Sequence, residues 1–307
     1  MSKLHVAVLR GGPSYGYDGS LKTGRSALKN LSDKYHGHDI FISKDGGWHR
    51  DGVERNPGQA LLGIDVVFNA LHGGYGEDGK VQRILNSLSI PYTGSDTLPS
   101  ALSMNKILTK KAFSDQCIKT PYHVVVKRGD DVRETFDHIF KHFYLPFVVK
   151  PSSGGSLAGT TIVKDFAHFE GAIESALGYG DSVIVEEYIR GKEASCGVID
   201  GFRGEKTYVL MPVEIDRVRN REIHPGNFTH DEKKEIQRLA RIIHEGLGLS
   251  HYSKSDFIIA PNRGIFALET NSLPSLADDS IFPKSLEAVG VNLPDFFDHV
   301  ITLANSR

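Results

Sequence analysis

Residues 4–12, LHVAVLRGG, decide how the first third of the chain is read. A mostly apolar run at 4–9 ends in Arg10 and a glycine pair, and helical spacing over 20–31 follows. That order is strand, glycine turn, helix. Two further strands at 38–43 (HDIFIS) and 64–69 (IDVVFN), a helix over 79–88 and a short strand at 90–92 (IPY) extend it. Strands alternating with helices predict a parallel sheet with crossover helices. Residues 1–96 therefore read as an α/β domain, a small doubly wound parallel sheet. Ligands of such sheets sit beyond the carboxyl ends of the strands. Gly11-Gly12 and the loop from Leu71 to Gly79 both follow such ends.

Beyond residue 96 the pattern changes. A helix is expected over 99–116, strands at 122–127, 146–150 and 160–163, and a helix near 165–177. Strands at 183–188, 193–199, 207–215 and 256–269 follow. Ile236, Leu239, Ala240, Ile243 and Leu247 recur at helical spacing within 230–247, and a last helix spans 284–304. Antiparallel strands with helices on one side predict an α+β region in two lobes, 97–184 and 185–307. The 307 residues suit two or three packed units. A formal net charge of -2 gives no reason to expect a nucleic-acid or membrane partner. Cys117 and Cys196 lack a CxxC spacing, which fits a reducing compartment and packing roles. No apolar run approaches a membrane span, and the first residues lack the apolar core of a signal peptide. The expected location is cytoplasmic.

Four segments carry chemistry. Lys150-Pro-Ser-Ser-Gly-Gly-Ser-Leu-Ala-Gly159 delivers a lysine from an apolar strand into a loop of three glycines and three serines. Such loops let backbone N–H groups approach a phosphate, although this is no Walker A loop and a flexible hairpin reads equally well. Glu186-Glu187-Tyr188-Ile189, with Glu193 beyond, ends a strand in groups able to hold ribose hydroxyls and an adenine edge; a solvated strand end is the plainer reading. Asp256 is expected to begin one strand and Glu269 to end the next. Pairing across the turn Pro261-Asn262-Arg263-Gly264 would bring both acids, with Asn271, to one end of the sheet. Those are hard oxygen donors suited to Mg²⁺. The loop Leu71-His-Gly-Gly-Tyr-Gly-Glu-Asp-Gly79 presents amides to an anion, and His72 and Glu77 to a polar substrate.

In order and in content these segments resemble the D-alanine–D-alanine ligase family. The resemblance runs through Gly11-Gly12-Pro13-Ser14, His72 to Gln82, Ile90-Pro91-Tyr92-Thr93-Gly94, Ser103-Met104-Asn105-Lys106, Val149 to Gly159, Glu186 to Glu193 and Glu269 to Pro283. It implies an ATP-grasp fold in which two α+β lobes enclose ATP. Lys106, Lys150 and Ser156 would then meet the phosphates. Glu187, Tyr188 and Ile189 would line the adenine, Glu193 would meet the ribose, and Glu186 would also belong to the ATP site. Asp256, Glu269 and Asn271 would hold one or two Mg²⁺ ions, with Mn²⁺ as a substitute. His72, Glu77, Ser280 and Ile281 would meet the amino acid substrates, and Ser156, Lys254, Ser275 and His72 would act in catalysis. The implied reaction turns a carboxylate into an acyl phosphate and passes it to an amine, giving a dipeptide for peptidoglycan precursors. A homodimer is implied as well.

The chain departs from the family pattern at five places. Gly16 stands where the family has the acid that takes the first substrate's amino group. Leu157 replaces the second loop serine, Lys254 the oxyanion arginine, and Ser275 a glycine. The family's long lid between the VEI strand and the following proline segment is reduced to Asp216–Ile223, DRVRNREI. Arg217, Arg219 and Arg221 read either as substitutes for the lid lysine or as a solvated strand edge. These departures leave two alternatives: a ligase for another amino acid or hydroxy acid, and a non-catalytic nucleotide-binding relative.

Overall fold

A computed structural model describes residues 3–154, 158–217, 219 and 221–306. The first unit contains β1 (Leu4–Gly11), α1 (Tyr17–Asn30), β2 (Tyr35–Ile42), β3 (Trp48–Arg50), β4 (Val53–Arg55), α2 (Pro57–Ala60), β5 (Val66–Asn69) and α3 (Lys80–Ser87). Its strand order is β4-β3-β2-β1-β5, with β1 parallel to both neighbours. Alternation along β1 sends Val6 and Val8 to one face and Ala7 and Leu9 to the other, and each face has its own core. Burial on both sides is why the strand reads as a near-continuous apolar run. At Gly11 (φ 93°) an added Cβ would lie 2.2 Å from the Ile42 carbonyl oxygen, so the turn admits only glycine. The antiparallel β3–β4 hairpin was not foreseen, because its strands are three residues each. The expected strand at 90–92 is reduced to one bridge, Val67 to Tyr92.

The helix expected over 99–116 is two: α4 (Thr97–Met104) and α5 (Lys106–Asp115). Asn105 breaks it. Its backbone is extended, and its Oδ1 accepts from the amides of Ile107 at 3.0 Å and Leu108 at 3.2 Å. That is an N-cap set inside an apolar-periodic stretch. The Lys106 amide then donates to the Ser152 carbonyl at 2.7 Å, fixing the start of α5 against the serine–glycine loop.

A four-stranded antiparallel sheet, order β6-β9-β7-β8, is built from β6 (His123–Lys127), β7 (Phe147–Pro151), β8 (Thr161–Val163) and β9 (Ser182–Glu187). Helices α6 (Val132–Phe140) and α7 (Phe169–Leu177) accompany it. A six-stranded sheet follows, from β10 (Lys192–Asp200), β11 (Thr207–Val209), β12 (Val213–Asp216), β13 (Arg221–Ile223), β14 (Tyr252–Ala260) and β15 (Gly264–Asn271). The single strand expected at 207–215 is thus two. Helix α8 (His230–Gly246) lies between β13 and β14, opened by a reciprocal cap between Thr229 and Glu232. Asp256 sits in the middle of β14 rather than at its start, because Tyr252–Ser255 pair with β10 as well.

The last expected helix, 284–304, is also two: α9 (Ile281–Glu287) and α10 (Leu293–Asn305). Gly290 at φ 72° and the Asn292 cap separate them. Helix α10 packs Phe296, Phe297, Val300 and Ile301 into the core that holds Val6, Val8 and Phe68. Phe68 and Phe297 meet edge to face at 5.1 Å. Among the described residues no helix is long and apolar enough to cross a membrane. Phe297→Ala should cost about 3–5 kcal/mol of stability, read as a lowered urea midpoint; an unchanged midpoint would mean that α10 does not carry this core.

Candidate active site

Adjacent strands and one helix converge on a buried charge cluster. Lys150 near the end of β7 and Lys110 of α5 both reach Glu186 of β9. The Lys110 Nζ–Oε1 and Lys150 Nζ–Oε2 distances are both 2.9 Å. All three residues are buried, and Lys110 also donates to Thr120 Oγ1 at 2.7 Å. Burial pulls the Lys110 ammonium down to about 8. Burial alone would raise the Glu186 carboxyl, but Lys150 and Lys110 hold it below its ordinary value. Lys106, the first residue of α5, is buried and donates to the Gly154 carbonyl. Lys106 and Lys110 also feel the charge of Glu269, so the three ammonium groups are balanced by more than one carboxylate.

A cavity of about 1200 Å³ opens between the four- and six-stranded sheets. Of the residues expected around a nucleotide, Lys150, Glu186, Glu187, Tyr188, Ile189 and Glu193 line it. Lys106 is not among its lining, and Ser156 lies outside the described residues. Glu187 accepts from the Tyr122 amide at 3.1 Å and Arg263 Nη2 at 3.0 Å. Glu193 is gripped by Arg217 Nε at 2.6 Å. Asp256 and Glu269 are register partners across β14 and β15, next to a β-bulge, and both face this cavity. Asp256 accepts from Ser195 Oγ at 2.7 Å and from Lys254 Nζ at 2.7 Å. Asn271 is the partner of Lys254. Two carboxylates and a carboxamide on neighbouring strands are a donor set that fits a hard divalent cation.

A second cavity, about 560 Å³, is lined by His72, Glu77, Asn271, Ser275 and Ser280. Both cavities are bounded by Glu222, Lys254 and Ile281, so they meet at those residues. His72 Nε2 lies 2.8 Å from Thr23 Oγ1, and burial pulls its ring down to about 4, which keeps it neutral. Burial pushes the Glu77 carboxyl up to about 7, although it accepts the Gly73 amide at 2.5 Å. Ser275 Oγ and Ser280 Oγ are 2.7 Å apart. At Gly16 an added Cβ would stand 2.6 Å from the His72 carbonyl. An acid at that position therefore has no room beside this loop.

The shortened segment is the β12–β13 hairpin, with Asp216 opposite Arg221. Val218 and Asn220 lie outside the described residues. Arg217 and Arg221 line the larger cavity; exposed Arg219 pairs with Asp216 at 3.6 Å. Glu222 pairs with Lys284 at 2.7 Å, tying the hairpin to α9 where the cavities join. Glu222, Lys284, Ser195 and Thr23 were not legible as site residues because each acts through a partner distant in the chain: Glu222 with Lys284, Ser195 with Asp256 and Thr23 with His72. The pairing of Lys110 with Glu186 escaped because α5 and β9 are far apart in the chain.

A family model described as D-ala D-ala ligase C-terminus matches residues 113–302, and one described as D-ala D-ala ligase N-terminus matches residues 49–95. The chain is 34% identical to the D-alanine–D-alanine ligase of Geobacter sulfurreducens, over 98% of this chain and 94% of that one. The D-alanine–D-alanine ligase from Coxiella burnetii superposes with a TM-score of 0.91 at 27% identity, covering 100% of this chain and 95% of that one. The D-alanine–D-alanine ligase from Bacillus anthracis complexed with ATP superposes at 0.82 with 28% identity, covering 99% and 97%. The fold is accordingly the ATP-grasp arrangement of mixed sheets and helices that these ligases share.

Glu77 gives a test of this electrostatic picture. Its folded value is raised to about 7, so its effect on stability is most favourable below the unfolded carboxylate range and worsens as pH rises through 7. Glu77→Gln should therefore gain stability over the parent between about pH 5 and about pH 8, by about 3 kcal/mol. Denaturant titrations at both pH values check it, and a pH-independent difference would mean that Glu77 is not desolvated.

Proposed function

The chain belongs to the D-alanine–D-alanine ligase family, and on that premise we propose that the protein uses ATP to join two D-alanine molecules, making a dipeptide for peptidoglycan precursors. The observation that carries this reading is the junction of the two cavities at Glu222, Lys254 and Ile281. A nucleotide-sized space opens onto a space sized for small amino acids, with a lysine at the boundary.

A carboxylate is a poor acyl donor because its leaving group would be an oxide. The first substrate's carboxylate oxygen attacks the γ-phosphorus of ATP, ADP departs, and an acyl phosphate forms. The second substrate's amine then attacks the acyl carbon. Phosphate leaves with the C–O electron pair, and the nitrogen loses a proton. Lys150 and Lys106 would bind the phosphates, Lys150 held straight by Glu186. In this reading Glu186 positions lysines and does not touch the base. Glu187, Tyr188 and Ile189 would line the adenine. Glu193 would meet the ribose, sharing or releasing Arg217. Ser156 would bind ATP as well.

Asp256, Glu269 and Asn271 would hold Mg²⁺ or Mn²⁺, which supplies charge neutralisation at the β- and γ-oxygens when bound. Lys254 would stabilise negative charge on the acyl oxygen as a point charge, without the planar fork of an arginine. Neutral His72 and Glu77 would orient the first substrate. Ser275, Ser280 and Ile281 would receive the second substrate's carboxylate.

One observation favours a second reading. With Gly16 walled by His72, the usual acid for the first substrate's ammonium is missing. That suits a ligase joining a different amino acid or a hydroxy acid. Phosphate release with ATP and Mg²⁺ should rise with D-alanine and stay at background with L-alanine, and mass spectrometry should detect the dipeptide. Release with D-serine or D-lactate alone would transfer the assignment to the second reading, and release with none would sink both. Glu269→Gln should lower turnover at least about a hundredfold while circular dichroism shows an intact fold; full activity in that variant would remove Glu269 from the metal set.

A further inference from the structure

The first sheet carries a feature that the ligase chemistry does not use. His5 and His36 are register partners on parallel β1 and β2, and His38 lies two residues beyond His36 on the same face. Further along, that face holds Ala7, Leu9, Ile40 and Ile42 in a buried core. At the amino-terminal ends of the strands the core stops and three imidazoles replace it. Their ring centroids lie 5.1, 5.1 and 4.8 Å apart, and one nitrogen of each lies within 4.8 Å of the other two. It is the one such group of metal-ligating side chains among the described residues. We propose that His5, His36 and His38 form a binding site for a borderline transition-metal dication such as Zn²⁺, Ni²⁺ or Co²⁺.

Three arguments carry this. Tetrahedral ligation at about 2.0–2.1 Å places ligand nitrogens about 3.3 Å apart. The observed spacing brackets that value, with His5 Nδ1 and His38 Nε2 already 2.8 Å apart, so rotation of the rings closes the site. Two of the ligands alternate on one strand and the third lies opposite, so all three rest on paired backbone. Imidazole is a preferred ligand of these ions and a poor one for Mg²⁺. The site is therefore chemically distinct from the Asp256–Glu269 pair. It is also remote from the ligand end of the sheet: His5 is six residues before Gly11, about 20 Å along the strand.

Arg50 acts as a brake. Its Nη2 donates to His38 Nδ1 at 3.2 Å, while its Nη1 donates to the carbonyls of Ala60 at 3.1 Å and Leu62 at 2.8 Å. A guanidinium only donates. His38 therefore carries its proton on Nε2 and gives it to His5 Nδ1. When a metal takes the Nε2 lone pair, that proton moves to Nδ1 and Arg50 Nη2 must withdraw. The two Nη1 bonds, and Asp51 at 3.9 Å from Nε, hold the guanidinium as it does.

The full chain, with excess Mg²⁺ and ADP present to occupy the nucleotide site, is titrated with Zn²⁺ and, separately, with Co²⁺. One equivalent of Zn²⁺ should bind per chain, and Co²⁺ should give the strong visible bands of a low-coordinate nitrogen site. Binding should be lost in His36→Ala, an exposed position whose change leaves the core alone, and in His38→Gln. Arg50→Met should bind about tenfold more tightly, the size of an outer-sphere effect. No saturable uptake by the parent chain, or uptake that persists in both histidine variants, would overturn the site. An unchanged affinity in Arg50→Met would overturn the role given to Arg50.

Discussion

Everything around the larger cavity depends on one buried carboxylate. Glu186 is surrounded by protein and carries charge only because Lys110 and Lys150 approach it from two elements at 2.9 Å. Removing water from three ionised groups is costly, and their mutual attraction repays that cost only when the geometry is good. The cluster therefore constrains α5, β7 and β9 together. It also leaves Lys150 pointing in a fixed direction at the cavity wall. A lysine on a flexible stem is a poor positioning device by itself, and the buried acid removes that freedom.

The same logic separates the two cavities. In the larger one three carboxylates are matched by cations: Glu187 by Arg263, Glu193 by Arg217 and Asp256 by Lys254. In the smaller one, desolvation raises Glu77 and keeps His72 neutral. Highly charged ligands and small polar ones thus meet different environments within one continuous space. Lys254 touches both, and the salt bridge from Glu222 to Lys284 closes the wall between the hairpin and α9.

Much of this was legible in the sequence where local rules govern. β1 and its glycine turn, α8 with its periodic apolar face, and the pairing of Asp256 with Glu269 all follow from alternation, helical period and turn chemistry. Legibility failed where one side chain overrode a pattern. Asn105 interrupts an apolar period with a cap, and Gly290 with Asn292 does the same near the carboxyl end. It failed again where contacts join distant segments, as with Lys110 and Glu186 or Glu222 and Lys284. Periodicity describes one element at a time, and these pairs are properties of two. Gly16 is a third kind of case. Its identity is visible in the sequence, but the reason for it, the carbonyl of His72 at 2.6 Å, is not.

The docking of α10 against β5 has a consequence for how the chain is made. Phe68 emerges early in synthesis, yet Phe297, which packs on it, follows more than two hundred residues later. Helix α1 can cover β1 early through Ala27, but the part of that face over β5 must stay uncovered while those residues are added. Only when α10 has left the ribosome can Phe297 seal Phe68. The β5 side of the first unit thus reaches its finished form only after the two lobes that follow it have been made.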